Sequence, residues 1–250
     1  MKRFNINEFI WFLILSLFTL YIYFLISSGK ITLFLHPKMV KYAAFSFIVF
    51  GELAVVQLFK VFTVATRVRF KKGYLLFFIT LIIGVFIAPG GLTSQIGEKK
   101  GVILVSSSHI ESIAEHSHNE KQRIEGNEII FNEKNYIHYL EDLSDHIDEH
   151  IGKKIRITGF VLKDNKLSKN EFLVSRMLIN CCAADSQILG VVGSYDKSEA
   201  LEKDSWIVVE GKVSLKEEKD INNKVIKKYP VILVEKLINI EKPNNPYIYE

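Results

Sequence analysis

Gly152-Lys153-Lys154-Ile155-Arg156-Ile157-Thr158-Gly159-Phe160-Val161 is the stretch that decides how the C-terminal half folds. Ile155, Ile157, Gly159 and Val161 alternate with Arg156, Thr158 and Phe160, a period of two that puts the first set on one face of a β-strand. The same period returns at Ile207, Val209, Gly211 and Val213. Phe172 to Ile179, Ile188 to Val192 and Val231 to Leu237 are further strand candidates, apolar runs of suitable length. Five short strands separated by turns, with a short helix at Ser198 to Leu201 before the fourth, predict a soluble, mainly-β domain: an OB-like five-stranded barrel.

Working outward toward the N-terminus, Leu140, Leu143, Ile147 and Ile151 recur at spacings of three and four until Gly152 ends the pattern, so a helix precedes the barrel. Before it the chain is polar and mixed in charge, with Gly101, Ser106 to Ser108 and Gly126, and its apolar pieces are short, Val102 to Val105 and Ile129 to Phe131. Residues 97–134 therefore read as a linker and 135–250 as the domain.

Residues 1–96 are of another kind. Phe9 to Ile26 carries no charge, and at 1.5 Å per residue it nearly crosses a hydrocarbon core of about 30 Å. It exceeds the apolar core of a signal peptide, about 7 to 15 residues, and more apolar segments follow, so it reads as a transmembrane helix. A second run covers Tyr42 to Phe62, and a third begins at Tyr74 and is stopped by Pro89, Gly90 and Gly91 or continues through Leu92. The expectation is an α-helical membrane region of three spans, about 9–26, 42–62 and 74–92, with lipid around it. Ile31 to Leu35, ahead of His36 and Pro37, is too short to cross and reads as interfacial.

Charge supports the division. The chain as a whole is +4, but residues 1–96 hold ten Lys or Arg against Glu8 and Glu52, leaving the rest at −4. A negative domain lacks the basic face that neutralises phosphates, so nucleic acid is not an expected partner. Lys2, Arg3, Arg67, Arg69, Lys71 and Lys72 fall on one side of the spans and Lys30, Lys38 and Lys41 on the other. The positive-inside rule then makes the N-terminus cytoplasmic and, with three spans, the C-terminal domain extracytoplasmic: a multi-pass protein of the cell membrane.

Within the second span Glu52 is a carboxylate where an ionised group facing lipid is costly. It is either a functional group facing another helix or a partner, or a hydrogen-bonded group inside a helix bundle. The two cysteines, Cys181 and Cys182, are adjacent and followed by Ala183, Ala184 and Asp185. Neighbouring side chains of a strand point apart, so the two sulfurs can share a metal only where the chain has turned. A divalent metal such as zinc held by Cys181, Cys182 and Asp185, a vicinal disulfide, and burial of two small side chains are the three readings. Asp142, His146 and His150 lie four apart along one flank of the predicted helix, as metal ligands or as a solvated flank. His116 and His118 form a His-x-His pair in a loop. No phosphate-binding glycine loop and no nucleophile with its base can be assembled, so no catalytic residue is assigned and an enzyme is not expected.

Gly152-Lys153, Gly159-Phe160, Ser175-Arg176, the run from Cys181 to Asp185, Trp206, Gly211-Lys212 and the ending Pro246-Tyr247-Ile248-Tyr249, together with the spans, resemble the YcgQ-like permease subunit family over nearly the whole chain. The resemblance implies a membrane protein working beside a separate, larger ArsP-like permease, with a link to metal homeostasis, and it maps the family's cysteines and aspartate onto Cys181, Cys182 and Asp185. The expected role is an accessory subunit whose external domain binds or presents a metal ion or other solute. A thiol-redox protein using the cysteine pair and an OB-type ligand-binding module are the rivals.

Overall fold

The structure, a computed structural model, describes residues 4–62, 73–87, 102–104, 123–164, 167–219 and 225–249. It divides into two compact units, Met1–Leu92 with Cys181–Ala183, and Thr93–Asn180 with Ala184–Glu250.

In the first unit α1 covers Ile6–Ser27, capped by Asn5, whose side-chain oxygen accepts from the Asn7 N–H at 3.2 Å. Gly29 takes the left-handed conformation after its end, φ 69°, where other residues are strained. Two 3₁₀ turns follow, Lys30–Leu33 and Pro37–Met39, then α2, Val40–Lys60, and α3, Tyr74–Ile87. The short apolar segment read as interfacial is the first of those turns. Cys181–Ala183 belongs to this unit through backbone pairing: Cys182 bridges Leu35, His36 N–H donates to Cys181 O at 3.0 Å, and Ala183 N–H donates to Phe34 O at 2.7 Å.

Aromatic rings hold the helices together. Phe18 stacks on Phe50 at 6.1 Å and Tyr23 meets Phe47 at 5.9 Å, joining α1 to α2; Trp11 meets Tyr74 at 5.4 Å and Phe77 at 5.5 Å, joining α1 to α3. α1 and α2 are long and apolar enough to cross a membrane, and scarcely any of either is buried within the protein. α3 has 14 residues, about 21 Å of helix, less than a hydrocarbon core requires. The described residues therefore contain two helices of spanning length rather than three. Residues 88–92, which the sequence reading adds to the third, lie outside the described residues, as do Lys2, Arg3, Arg67, Arg69, Lys71, Lys72, His116 and His118.

The second unit is the barrel. β1 is Val102–Leu104, β2 Glu128–Ile130, β3 Lys154–Leu162, β4 Glu171–Ile179, β5 Gln187–Ser194, β6 Trp206–Lys219, β7 Val225–Ile240 and β8 Tyr247–Tyr249. β3, β4, β5, β7 and β6 close on themselves: every neighbouring pair is antiparallel except β5 with β7, and β6 returns to β3 over seven residue pairs from Lys154–Lys212 to Phe160–Trp206. This is a closed, OB-like five-stranded barrel. Its core takes the residues that the period of two assigns inward, Ile155, Ile157 and Val161 from β3 and Ile207, Val209 and Val213 from β6, with Phe172, Val174 and Leu178 from β4. Closure needs glycine where strands cross closely. A Cβ on Gly159 would sit 2.5 Å from Ser175 O, and one on Gly211, at a bulge in β6, would overlap Leu233 O.

Two features differ from the sequence reading. The stretch read as a linker supplies β1, parallel to β5, and β2, parallel to β3; three residues are too few for alternation to stand out. The single helix before the barrel is two, α4 over Tyr136–Asp145 and α5 over Ile147–His150, because His146 leaves the helical region at φ −122°, ψ 36°. The 3₁₀ turn Ser198–Ala200 stands where a short helix is expected.

Candidate metal centre

β4 ends at Ile179, and the chain turns through Asn180 to Cys182 into the 3₁₀ turn Ala183–Asp185 before β5 starts at Gln187. Because the strand has ended, the two cysteine side chains need not point apart. Their sulfurs lie 3.6 Å from each other, and both lie within 4.8 Å of an Asp185 carboxylate oxygen. Among the described residues this is the one cluster of three or more His, Cys, Asp or Glu side chains with ligand atoms so close. Cys181 is exposed and Cys182 half-buried, and no disulfide joins them.

Two thiolates sharing a tetrahedral zinc, each at about 2.3 Å, are about 3.8 Å apart, whereas a disulfide needs about 2.05 Å. The observed spacing matches that of two zinc-bound sulfurs and equally that of a hydrogen bond from the Cys181 thiol to the Cys182 sulfur, so it is compatible with a metal ligand pair without requiring one. Two sulfurs and a carboxylate make a three-ligand set of the kind that leaves a fourth position for water or an incoming group. Sulfur that is exposed or half-exposed is also not explained as core packing.

The histidines are engaged elsewhere. The Asp142 carboxylate is nearly buried at the end of α4; its Oδ2 accepts from Ile124 N–H at 2.9 Å and lies 3.0 Å from His150 Nε2. Lys153 Nζ is 3.1 Å from His150 Nδ1. An ammonium only donates, so Nδ1 accepts and the ring proton sits on Nε2, aimed at Asp142. His150 is thus a buried neutral histidine, its pKa pushed down by desolvation, with Asp142 opposing that shift and Lys153 adding to it. His146 Nδ1 lies 3.1 Å from Asp142 Oδ1 without hydrogen-bond alignment, and Arg123 Nη2 is 3.4 Å from its Nε2. Both rings therefore face one carboxylate, and neither joins the sulfur cluster.

Glu52 is exposed on α2. The polar contact within the helix pair is instead Gln57 with Glu8: the Gln57 amide donates to the Glu8 carboxylate and to its backbone carbonyl, the latter at 3.2 Å. Sequence reading passed over this pair. The signal was available, since an antiparallel helix hairpin sets the start of α1 beside the end of α2.

Arg176 is the other residue whose role was not foreseen. It is buried, donates to Asn245 O at 3.2 Å and Tyr247 O at 3.4 Å, and its guanidinium sits 5.2 Å from the Trp206 ring and 5.9 Å from that of Tyr136. Burial lowers its pKa and raises that of Tyr136. Phe160 meets Trp206 edge-on at 5.9 Å, and β8 runs parallel to β4 from Met177–Tyr247 to Ile179–Tyr249. Arg176, Tyr136, Trp206, Phe160 and the Tyr-Ile-Tyr tail thus form one locking cluster that fastens the end of the chain to the barrel.

Among solved structures, a mitochondrial single-stranded DNA-binding protein of S. cerevisiae covers 36% of this chain and 96% of its own, with 10% identity and a TM-score of 0.25. A small single-stranded DNA-binding protein of Streptomyces coelicolor covers 36% and 94%, with 12% identity and a TM-score of 0.24. The UPF0703 protein YcgQ of Bacillus subtilis (strain 168) is 24% identical over 286 residues, spanning 95% of this chain and 98% of that protein. Residues 10–103 match the DUF1980 N-terminal domain and residues 108–250 the DUF1980 C-terminal domain, the order of the apolar helices and the barrel described above. The chain is a member of the YcgQ-like DUF1980 family.

Proposed function

We propose that the protein is a multi-pass membrane protein acting as accessory subunit of a permease, and that the turn after β4 presents a soft divalent cation such as zinc through Cys181, Cys182 and Asp185. The observation that carries this reading is the convergence of two sulfurs 3.6 Å apart and one carboxylate, all within 4.8 Å, on a turn rather than in the core. The role is not enzymatic. In this reading the third apolar run is a third crossing, and the barrel faces the extracytoplasmic side, where it meets metal before the permease does. Thiolates coordinate only when deprotonated, so loading falls as the medium turns acidic.

The test is purification of the tagged full-length chain from its native membrane in mild detergent, followed by identification of copurifying proteins and elemental analysis. The reading expects an ArsP-like permease and close to one metal per chain. A chain recovered alone and metal-free under non-chelating conditions would sink it.

The exposure of Cys181 beside a second sulfur favours one rival, thiol–disulfide exchange. Two thiols would surrender two electrons and two protons to a partner protein's disulfide, which leaves as a dithiol. That reaction tolerates Asp185→Ala, whereas metal binding does not.

A further inference from the structure

α2 has two distinct faces. Toward α1 it turns Phe47, Phe50, Ala54, Gln57 and, just past its end, Val61: the two rings pack on α1, Ala54 and Val61 are buried, and Gln57 binds Glu8. Those positions advance by three and four. Half a turn away Phe45, Ile48, Glu52, Val55 and Phe59 advance in the same rhythm, and all are exposed, Phe45 at 65%, Ile48 at 55%, Val55 at 56% and Phe59 at 75%.

Glu52 is the centre of that second stripe. It stands about 18 Å along the axis from Val40 and about 12 Å from Lys60, too far for Lys60 to reach it. The residues three and four away on either side are Ile48, Val49, Val55 and Val56, all apolar. Among the described residues the carboxylate has no partner. A stripe of large apolar side chains needs no protein to cover it in lipid, but a carboxylate at its centre does, since hydrocarbon offers neither charge nor hydrogen bond.

We propose that this face of α2 is the docking surface for a transmembrane helix of a partner membrane protein, and that the partner brings a basic side chain to Glu52. Spacing of three and four suits the shallow, left-handed crossing common between membrane helices. Charge complementarity favours another chain over a second copy of this one. A twofold interface centred on the stripe sets Glu52 opposite an identical carboxyl group, which brings no opposite charge, whereas Arg, Lys or His from another chain does. The proposal rests on reading α2 as a membrane span and the chain as a subunit of a larger assembly.

Photo-crosslinking residues placed singly at Ile48, Val55 and Phe59 of the full-length chain in its native membrane test it, with Ala54, on the α1 side, as control. The expected adduct joins the stripe, and not Ala54, to an apolar segment of another protein with Arg, Lys or His within one turn of the linked residue. Glu52→Gln and Glu52→Leu, checked for membrane insertion by alkaline extraction, are expected to lower that adduct at least about tenfold. Changing the partner's basic residue to Glu and Glu52 to Lys together restores it. Adducts of the chain with itself, adducts with lipid only, or adducts indifferent to Glu52 overturn the proposal. A permease that copurifies without such adducts overturns the docking face alone; adducts to a membrane protein that is not a permease uphold the face and remove the permease reading.

Discussion

At the scale of single residues, Asp142 shows why chemistry cannot be read from spacing alone. Its i, i+4, i+8 relation to His146 and His150 was visible in the sequence and equally compatible with a metal. The structure joins the carboxylate to Ile124 N–H and His150 instead, which ties the segment before β2 to the helix end. His150 binds protons less readily when folded than when unfolded, because burial lowers its pKa below the ordinary 6.5. The sign follows: its neutral form costs nothing in differential protonation well above 6.5, and stability is lost as pH falls below that value, while the unfolded histidine takes up its proton. Thermal unfolding between about pH 7.5 and about pH 5.5 should therefore show a larger acid loss for wild type than for His150→Gln, which stays uncharged. Equal losses in both proteins would remove His150 as an acid-sensitive group.

At the scale of elements, β3 and β6 were legible because each has one face in the core, so the period of two survives along their length. Gly159 was legible as a member of that alternation, but not as the place where β3 nearly touches β4. A side chain there must displace Ser175 backbone rather than a flexible group. Gly159→Val should cost about 1–3 kcal/mol or more in unfolding free energy, measured by denaturant titration, while Gly126→Ala, in a turn with open space, serves as the milder comparison for left-handed strain alone. β1, β2 and β8 were not legible, since strands of three residues carry no period and form through pairing with distant strands. The break between α4 and α5 was hidden for a similar reason: a continuous three-and-four pattern runs across it, and only the conformation of His146 interrupts it.

At the scale of the whole molecule, the division into apolar helices and a barrel was plain from the composition shift alone, and the turn holding Cys181, Cys182 and Asp185 was recognised by its residue types. The closeness of the three ligand atoms was not, because nothing in the sequence fixes where a strand stops. The proposed topology has its own check in a variant lacking both native cysteines: Lys163→Cys should react with a membrane-impermeant thiol reagent on intact cells, and a cysteine replacing Arg69 should not. The reverse pattern would place the barrel in the cytoplasm. Zinc titration of the purified full-length protein, with a count of reactive thiols, decides whether Cys181, Cys182 and Asp185 hold a metal. Two titratable thiols and one zinc per chain at about micromolar affinity or tighter, weakened at acidic pH and lost in Cys181→Ser and in Asp185→Ala, is the predicted result. Two reactive thiols without zinc affinity, or affinity unchanged in both variants, would contradict it.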